Sequence, residues 1–135
     1  MPLVLVGYSG GGLLASYLAR EMEEVVGLIT IAGNLDLGNW ISKHGYTHRL
    51  LENTPELILP FPEHLSQLHV FGGQDTNAPY QLSKLLLQSD RNAAVMEIST
   101  ADHDCCWVQN WPAIWGRYQQ LTSSSVSSVL SSTTR

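Results

Sequence analysis

A serine stands within Gly7-Tyr8-Ser9-Gly10-Gly11, a Gly-x-Ser-x-Gly arrangement. A serine hydroxyl is a poor nucleophile until a base takes its proton. A working serine therefore needs a histidine, and a carboxylate to orient it, each carried on its own loop further along the chain. Both follow, the acid first: Asp75 lies in Gly72-Gly73-Gln74-Asp75-Thr76-Asn77-Ala78-Pro79, and His103 in Asp102-His103-Asp104. Such a set supports acyl transfer through the serine. The glycines suit a sharp turn in which a Cβ at position 7 or 11 would collide with neighbouring chain. In such a turn Ser9 is held in a strained backbone conformation that exposes its oxygen.

Each residue has a plainer reading beside this one. A Gly-rich turn at a helix N-terminus also holds anions, but the phosphate-binding loop needs a lysine after its glycines, where this chain has Leu13. Asp75 would serve equally as a cap for the next helix, and Asp36 is a competing acid for the histidine. Asp102 and Asp104 read as surface charge. Cys105 and Cys106 can bridge each other only through a strained vicinal ring, and with His103 they fall short of a structural zinc set; they are assigned to packing. His44 and His48 stand four apart, but Gly45 weakens a helix there and no glutamate completes a His-Glu-x-x-His pattern, so no metal site is expected. Tyr8 and Trp40 are the candidate substrate-lining residues, with anchoring of the surrounding chain as the alternative for Trp40.

The elements that must position these residues follow from periodicity. Leu3-Val4-Leu5-Val6 is a wholly aliphatic run that suits a strand buried on both faces. Leu13, Leu14, Tyr17 and Leu18 then recur at helical spacing, and Val25 to Ala32 makes a second strand ending in Gly33-Asn34-Leu35-Asp36. Residues 33–66 carry prolines, histidines and Trp40 and read as a small cap or lid. Leu68-His69-Val70-Phe71 is a third strand, followed by a helix opened by Ala78-Pro79. Ala93 to Ile98 is a fourth, and Trp111, Ile114, Trp115 and Tyr118 form the buried stripe of a last helix through Leu121. Strand-helix alternation implies an α/β domain with a parallel sheet over residues 1–121. In such a sheet the loops bearing Ser9, Asp75 and His103 share one edge. Residues 122–135, mostly serine and threonine, read as a disordered tail.

Composition bounds the function. The 135 residues allow one domain, and 44% are apolar against 14% charged, which marks a core-forming chain. Seven basic residues against 12 acidic give a net charge of −5, and no basic cluster is present to meet nucleic acid or an anionic membrane surface. No apolar run approaches the roughly 18 residues of a transmembrane helix, and Met1-Pro2-Leu3 lacks a basic leader, so the default location is cytoplasmic.

Taken together, the elbow at Ser9, the acid at Asp75 after a later strand and the histidine at His103 in the last loop resemble the α/β-hydrolase family, in that chain order. The resemblance implies that His103 abstracts the Ser9 proton, that Asp75 orients the imidazole, and that the Gly10 N–H is one oxyanion donor. The implied activity is hydrolysis of an ester, thioester or amide of a small acyl substrate, with no cofactor. The match begins at the strand feeding the elbow, so the expected architecture is a partial α/β-hydrolase fold of about four parallel strands. The family's second oxyanion donor comes from a loop after an earlier strand. Losing one such donor costs about 2.7 to 4 kcal/mol of transition-state stabilisation. A first strand without its outer neighbour presents a bare aliphatic edge for self-association, and the alternative function is an impaired fragment that acts as a pairing module.

Overall fold

A computed structural model describes residues 1–46, 49 and 52–133, the backbone alone for 124–133. Its elements run β1 (Leu3–Tyr8), α1 (Gly10–Glu21), β2 (Val25–Ile31), α2 (Leu37–His44), β3 (Ser66–Gly72), α3 (Tyr80–Gln88), β4 (Ala93–Ile98) and α4 (Trp107–Thr133). The four strands lie in sequence order in one sheet, and every neighbouring pair is parallel.

Register brings the strand ends level. Tyr8 pairs with Ile31, Ile31 with Val70, and Gly72 with Ile98, so the loops that follow β1, β3 and β4 emerge along one edge.

Side chains alternate across a strand, and the two apolar faces are covered by different helices. On one face Leu28 and Phe71 pack with Leu13 and Ala19 of α1 and Leu87 of α3, and Leu57, Phe61 and Leu65 of the 33–66 segment join them. On the other, Ile29, Ile31, Leu68 and Val70 pack under Ile114 and Tyr118 of α4, with Trp111 and Trp115 partly buried beside them. Gly27 lets this helix dock: a Cβ there would run into the Tyr118 hydroxyl.

One expectation changes. β1 is not buried on both faces. It is the sheet's edge, and Val4, Val6 and Tyr8 are 37%, 48% and 44% exposed. The reason is that α4 lies over β2 and β3, leaving the outer row of β1 uncovered. The backbone of α4 runs on to Thr133, and Leu121 is the last of its residues packed on the core.

A buried polar chain crosses the sheet. Asp90 accepts from the Phe61 N–H at 2.9 Å, the Asn92 N–H at 3.0 Å and Gln67 Nε2 at 2.9 Å. With its amide nitrogen so used, Gln67 offers its oxygen to His69 Nε2 at 2.9 Å. Nε2 then carries the hydrogen, and Nδ1 accepts from the Thr30 hydroxyl at 2.7 Å. This is a neutral imidazole. Burial lowers its pKa from 6.5 to about 4, against the opposing pull of Asp90.

Candidate active site

Ser9 sits between β1 and α1 with φ 55° and ψ −125°, a positive φ that a residue bearing a Cβ rarely adopts. The turn is held by Ser9 N–H donating to the Ile31 carbonyl at 2.8 Å and by Gly12 N–H donating back to the Ser9 carbonyl at 2.9 Å. Gly7 permits the close approach, since a Cβ there would overlap the backbone of Gly11 and Gly12, whereas a Cβ on Gly11 would meet open space, against the expectation for that position. Sequence thus builds the turn locally, from a strand that must stop and a helix that starts at once.

The structure brings Ser9, His103 and Asp75 together. Ser9 Oγ lies 3.0 Å from His103 Nε2, and His103 Nδ1 lies 2.9 Å from Asp75 Oδ2. The Asp75 side chain is fully buried and that of His103 only 17% exposed, so the contact between them is shielded from water. A carboxylate only accepts, so the Nδ1 hydrogen points to Asp75 and the Nε2 lone pair faces the serine.

Asp75 also fulfils its plainer reading. Its Oδ1 accepts from the Asn77 N–H at 2.7 Å and the Ala78 N–H at 2.8 Å, closing the turn while Oδ2 stays on the histidine. The competing acid, Asp36, caps α2 instead, accepting from the Asn39 N–H at 3.2 Å.

Trp40 lies on α2 and reaches the acid loop. Its indole N–H donates to Asn77 Oδ1 at 3.2 Å, while its ring packs against His44 and Tyr46. From the same helix, His44 Nε2 donates to the Asn77 carbonyl at 2.7 Å and Lys43 Nζ to the Thr76 carbonyl at 3.2 Å. These three fasten the segment just after Asp75, a role that local sequence did not signal. His48, the other member of the spaced histidine pair, lies outside the described residues.

Tyr8 spans from the elbow to the histidine loop. Its hydroxyl lies 2.9 Å from the His103 carbonyl and 3.0 Å from Asp104 Oδ1. Burial, then the hydrogen bond to Asp104 and the charge of that carboxylate, raise the phenol's pKa. The His103 carbonyl also accepts the Trp107 indole N–H at 2.9 Å. Asp102, expected to be surface charge alone, shapes the loop: its Oδ1 accepts from the Asp104 N–H at 2.9 Å and the Cys105 N–H at 2.7 Å.

The cysteines depart from the packing role assigned to them. Cys105 is exposed and Cys106 partly so, and their side chains lie against each other. The turn that carries them is closed twice, by the Cys105 N–H on Asp102 and by the Asp102 N–H on the Cys105 carbonyl at 2.7 Å.

Two cavities flank the histidine loop. One of about 420 Å³ is walled by Tyr8, Ile31, Cys105, Cys106, Trp107 and Val108. The other, of about 400 Å³, is polar, bordered by Gln74, Asn77, Asp102 and His103. Both volumes fall in the range of small-molecule sites.

No family model and no curated protein matches the sequence. Solved structures do. Est1E from Butyrivibrio proteoclasticus matches 94% of this chain with 62% of its own, at 16% identity and a TM-score of 0.65. Mouse alpha/beta hydrolase domain-containing protein 10 matches 76% of this chain with 54% of its own, at 22% identity and a TM-score of 0.57. A monoacylglycerol lipase from Paleococcus ferrophilus matches 90% with 68% of its own, at 16% identity and a TM-score of 0.56. The chain therefore has the α/β-hydrolase fold in part, spanning about half the length of the mouse structure. No helix among the described residues is long and apolar enough to cross a membrane.

Proposed function

We propose that this chain is a serine hydrolase that cleaves an ester, thioester or amide through an acyl intermediate on Ser9. The reading rests on the unbroken hydrogen-bond line from Ser9 Oγ through His103 to the buried carboxylate of Asp75. Esterases and a lipase are among the structural matches, in keeping with ester cleavage.

In this mechanism Ser9 Oγ attacks the acyl carbonyl as its proton passes to His103 Nε2. Asp75, on Nδ1, holds the ring in that orientation and stabilises the imidazolium. Gly10 is the first residue of α1, so its N–H has no acceptor within the helix and is free to meet the oxyanion. His103 then gives its proton to the leaving group, and water, activated by the same nitrogen, releases the acid. Tyr8 lies beside this path as a wall of the apolar cavity, and Trp40 supports it through Asn77.

The test is labelling with a fluorophosphonate, which bonds only to activated serines, with the adduct located by peptide mass spectrometry. Wild-type chain labels at Ser9. Ser9→Ala does not, and His103→Ala slows labelling by about a hundred- to ten-thousandfold. A folded wild-type chain that stays unlabelled overturns the proposal.

A second reading, a pairing module, is favoured by the open row of Val4, Val6 and Tyr8 on the edge strand. It predicts concentration-dependent association in light scattering that Val6→Lys weakens. A monomer at every concentration excludes it.

A further inference from the structure

We propose that the polar cavity beside His103 receives a sugar, so that the ester this chain cleaves is an acylated carbohydrate; the inference rests on the serine-hydrolase reading above and names its leaving group.

Proton transfer decides which half of the substrate each cavity holds. His103 Nε2, 3.0 Å from Ser9 Oγ, must also hand its proton to the departing oxygen. The leaving group therefore lies against the imidazole, and His103 walls the polar cavity of about 400 Å³. The apolar cavity, bounded by Tyr8, Ile31 and Trp107, is left for the acyl chain.

The polar cavity has hydrogen-bonding atoms to spare. Asp102 and Asp104 bond through Oδ1, the first to loop amides and the second to the Tyr8 hydroxyl. Gln74 donates Nε2 to the Ser99 carbonyl at 3.1 Å, and Asn77 takes the Trp40 indole on Oδ1. Each of the four keeps a second polar atom, three of them acceptor oxygens and one the Asn77 NH2. A hydroxyl both donates and accepts, so adjacent hydroxyls on one ring suit this mixture. A plain alkyl alcohol would leave these atoms unused, and a phosphate or carboxylate would meet two carboxylates.

The second observation is aromatic. Trp40 and His44 both attach to Asn77 at the cavity wall, and Tyr46, 53% exposed, packs against both of their rings. A sugar ring carries a face of C–H groups that lies flat on an aromatic surface. His44 and Tyr46 stack at 22°, so the cluster offers an outer face rather than the ring-lined cage that a quaternary ammonium takes.

In the reaction Ser9 Oγ bonds to the acyl carbon and the bond from that carbon to the sugar oxygen breaks. The sugar oxygen takes the proton from His103 and leaves as a free hydroxyl. Water then gives its proton to His103 and its oxygen to the acyl carbon, and Ser9 Oγ recovers a proton as the acid departs.

The experiment gives the full chain butyrate esters of four alcohols: methyl glucoside acylated on its primary hydroxyl, glycerol, choline and ethanol. It measures kcat/KM for each, with fluorophosphonate labelling of Ser9 alongside. The glucoside ester should be favoured over the ethyl ester about ten- to a hundredfold, the scale of two added hydrogen bonds. Tyr46→Ala and Gln74→Ala, checked for fold by circular dichroism, should each lower that preference about three- to tenfold.

Equal use of the glucoside and ethyl esters by a chain that labels at Ser9 overturns the proposal. So does a preference for the choline or glycerol ester, or a glucoside preference that neither variant lowers. If Ser9 takes no label and no ester is cleaved, the serine-hydrolase reading falls. Saturation transfer from the protein to free methyl glucoside then decides the cavity alone: transfer that Tyr46→Ala weakens keeps the sugar site, and transfer that is absent or unaltered removes it.

Discussion

The Ser9 hydroxyl lies 3.0 Å from His103 Nε2 across 94 residues of chain. Neither residue could hold that distance from its own loop. The elbow fixes Ser9 through Gly7 and the Ile31 carbonyl, and His103 is fixed by its carbonyl, between the Tyr8 hydroxyl and the Trp107 indole. Tyr8, next to the serine in sequence, therefore ties the two halves of the contact together.

Asp75→Asn should separate catalysis from folding. The asparagine oxygen can still accept the Asn77 and Ala78 N–H groups, so the turn survives. Its NH2 would then face His103 Nδ1, which must become an acceptor, and the hydrogen moves to Nε2, where it blocks proton abstraction from Ser9. Turnover should fall by about ten-thousandfold with little change in urea midpoint. Measured kcat near the wild-type value would show that the carboxylate does not set the tautomer.

Stability should fall on acidification, driven by His69. Its folded-state pKa, about 4, lies below the ordinary 6.5, so between these values the unfolded chain binds the extra proton. Stability is then lost as pH falls from about 6.5 to about 4, by about 3 kcal/mol for a shift of this size. Asp90 adds a second loss at lower pH. Burial would raise its pKa, but bonds from Gln67 and the Phe61 and Asn92 amides, with His69 nearby, hold it below the usual value. That stability is present above the ordinary carboxylate pKa and disappears as pH falls through the lowered one. Urea unfolding at about pH 7 and about pH 4.5 should show the first loss, and His69→Gln should flatten it.

Gly27→Ala tests the docking of α4. The added methyl meets the Tyr118 hydroxyl, and overpacking of this kind costs about 1 to 3 kcal/mol. Because α4 follows directly on the histidine loop, the labelling rate at Ser9 should fall along with the unfolding midpoint. An unchanged midpoint would mean that α4 shifts outward without loss.

Much of this molecule is written locally. Aliphatic runs of strand length, helical spacing after each turn, and Gly-x-Ser-x-Gly between the first strand and helix are short-range patterns, and they determined the strand-helix order and put Ser9, Asp75 and His103 at strand ends. Local pattern and the family resemblance favoured Asp75 but left Asp36 as a competing acid. Both are acids in loops after strands, and only packing sends one to cap α2 and the other to His103. The same holds for the grip of Trp40, Lys43 and His44 on the acid loop, and for the chain from Asp90 to Thr30. These are contacts between elements far apart in sequence, fixed by register and helix docking. Burial of β1 failed from sequence for a related reason. An aliphatic run records that a strand is apolar, while which of its rows is covered depends on where α4 lands, and α4 lands on β2 and β3. Local periodicity thus set the elements and their order, and the tertiary structure alone decided which side chains meet, because those distances depend on the whole packed arrangement.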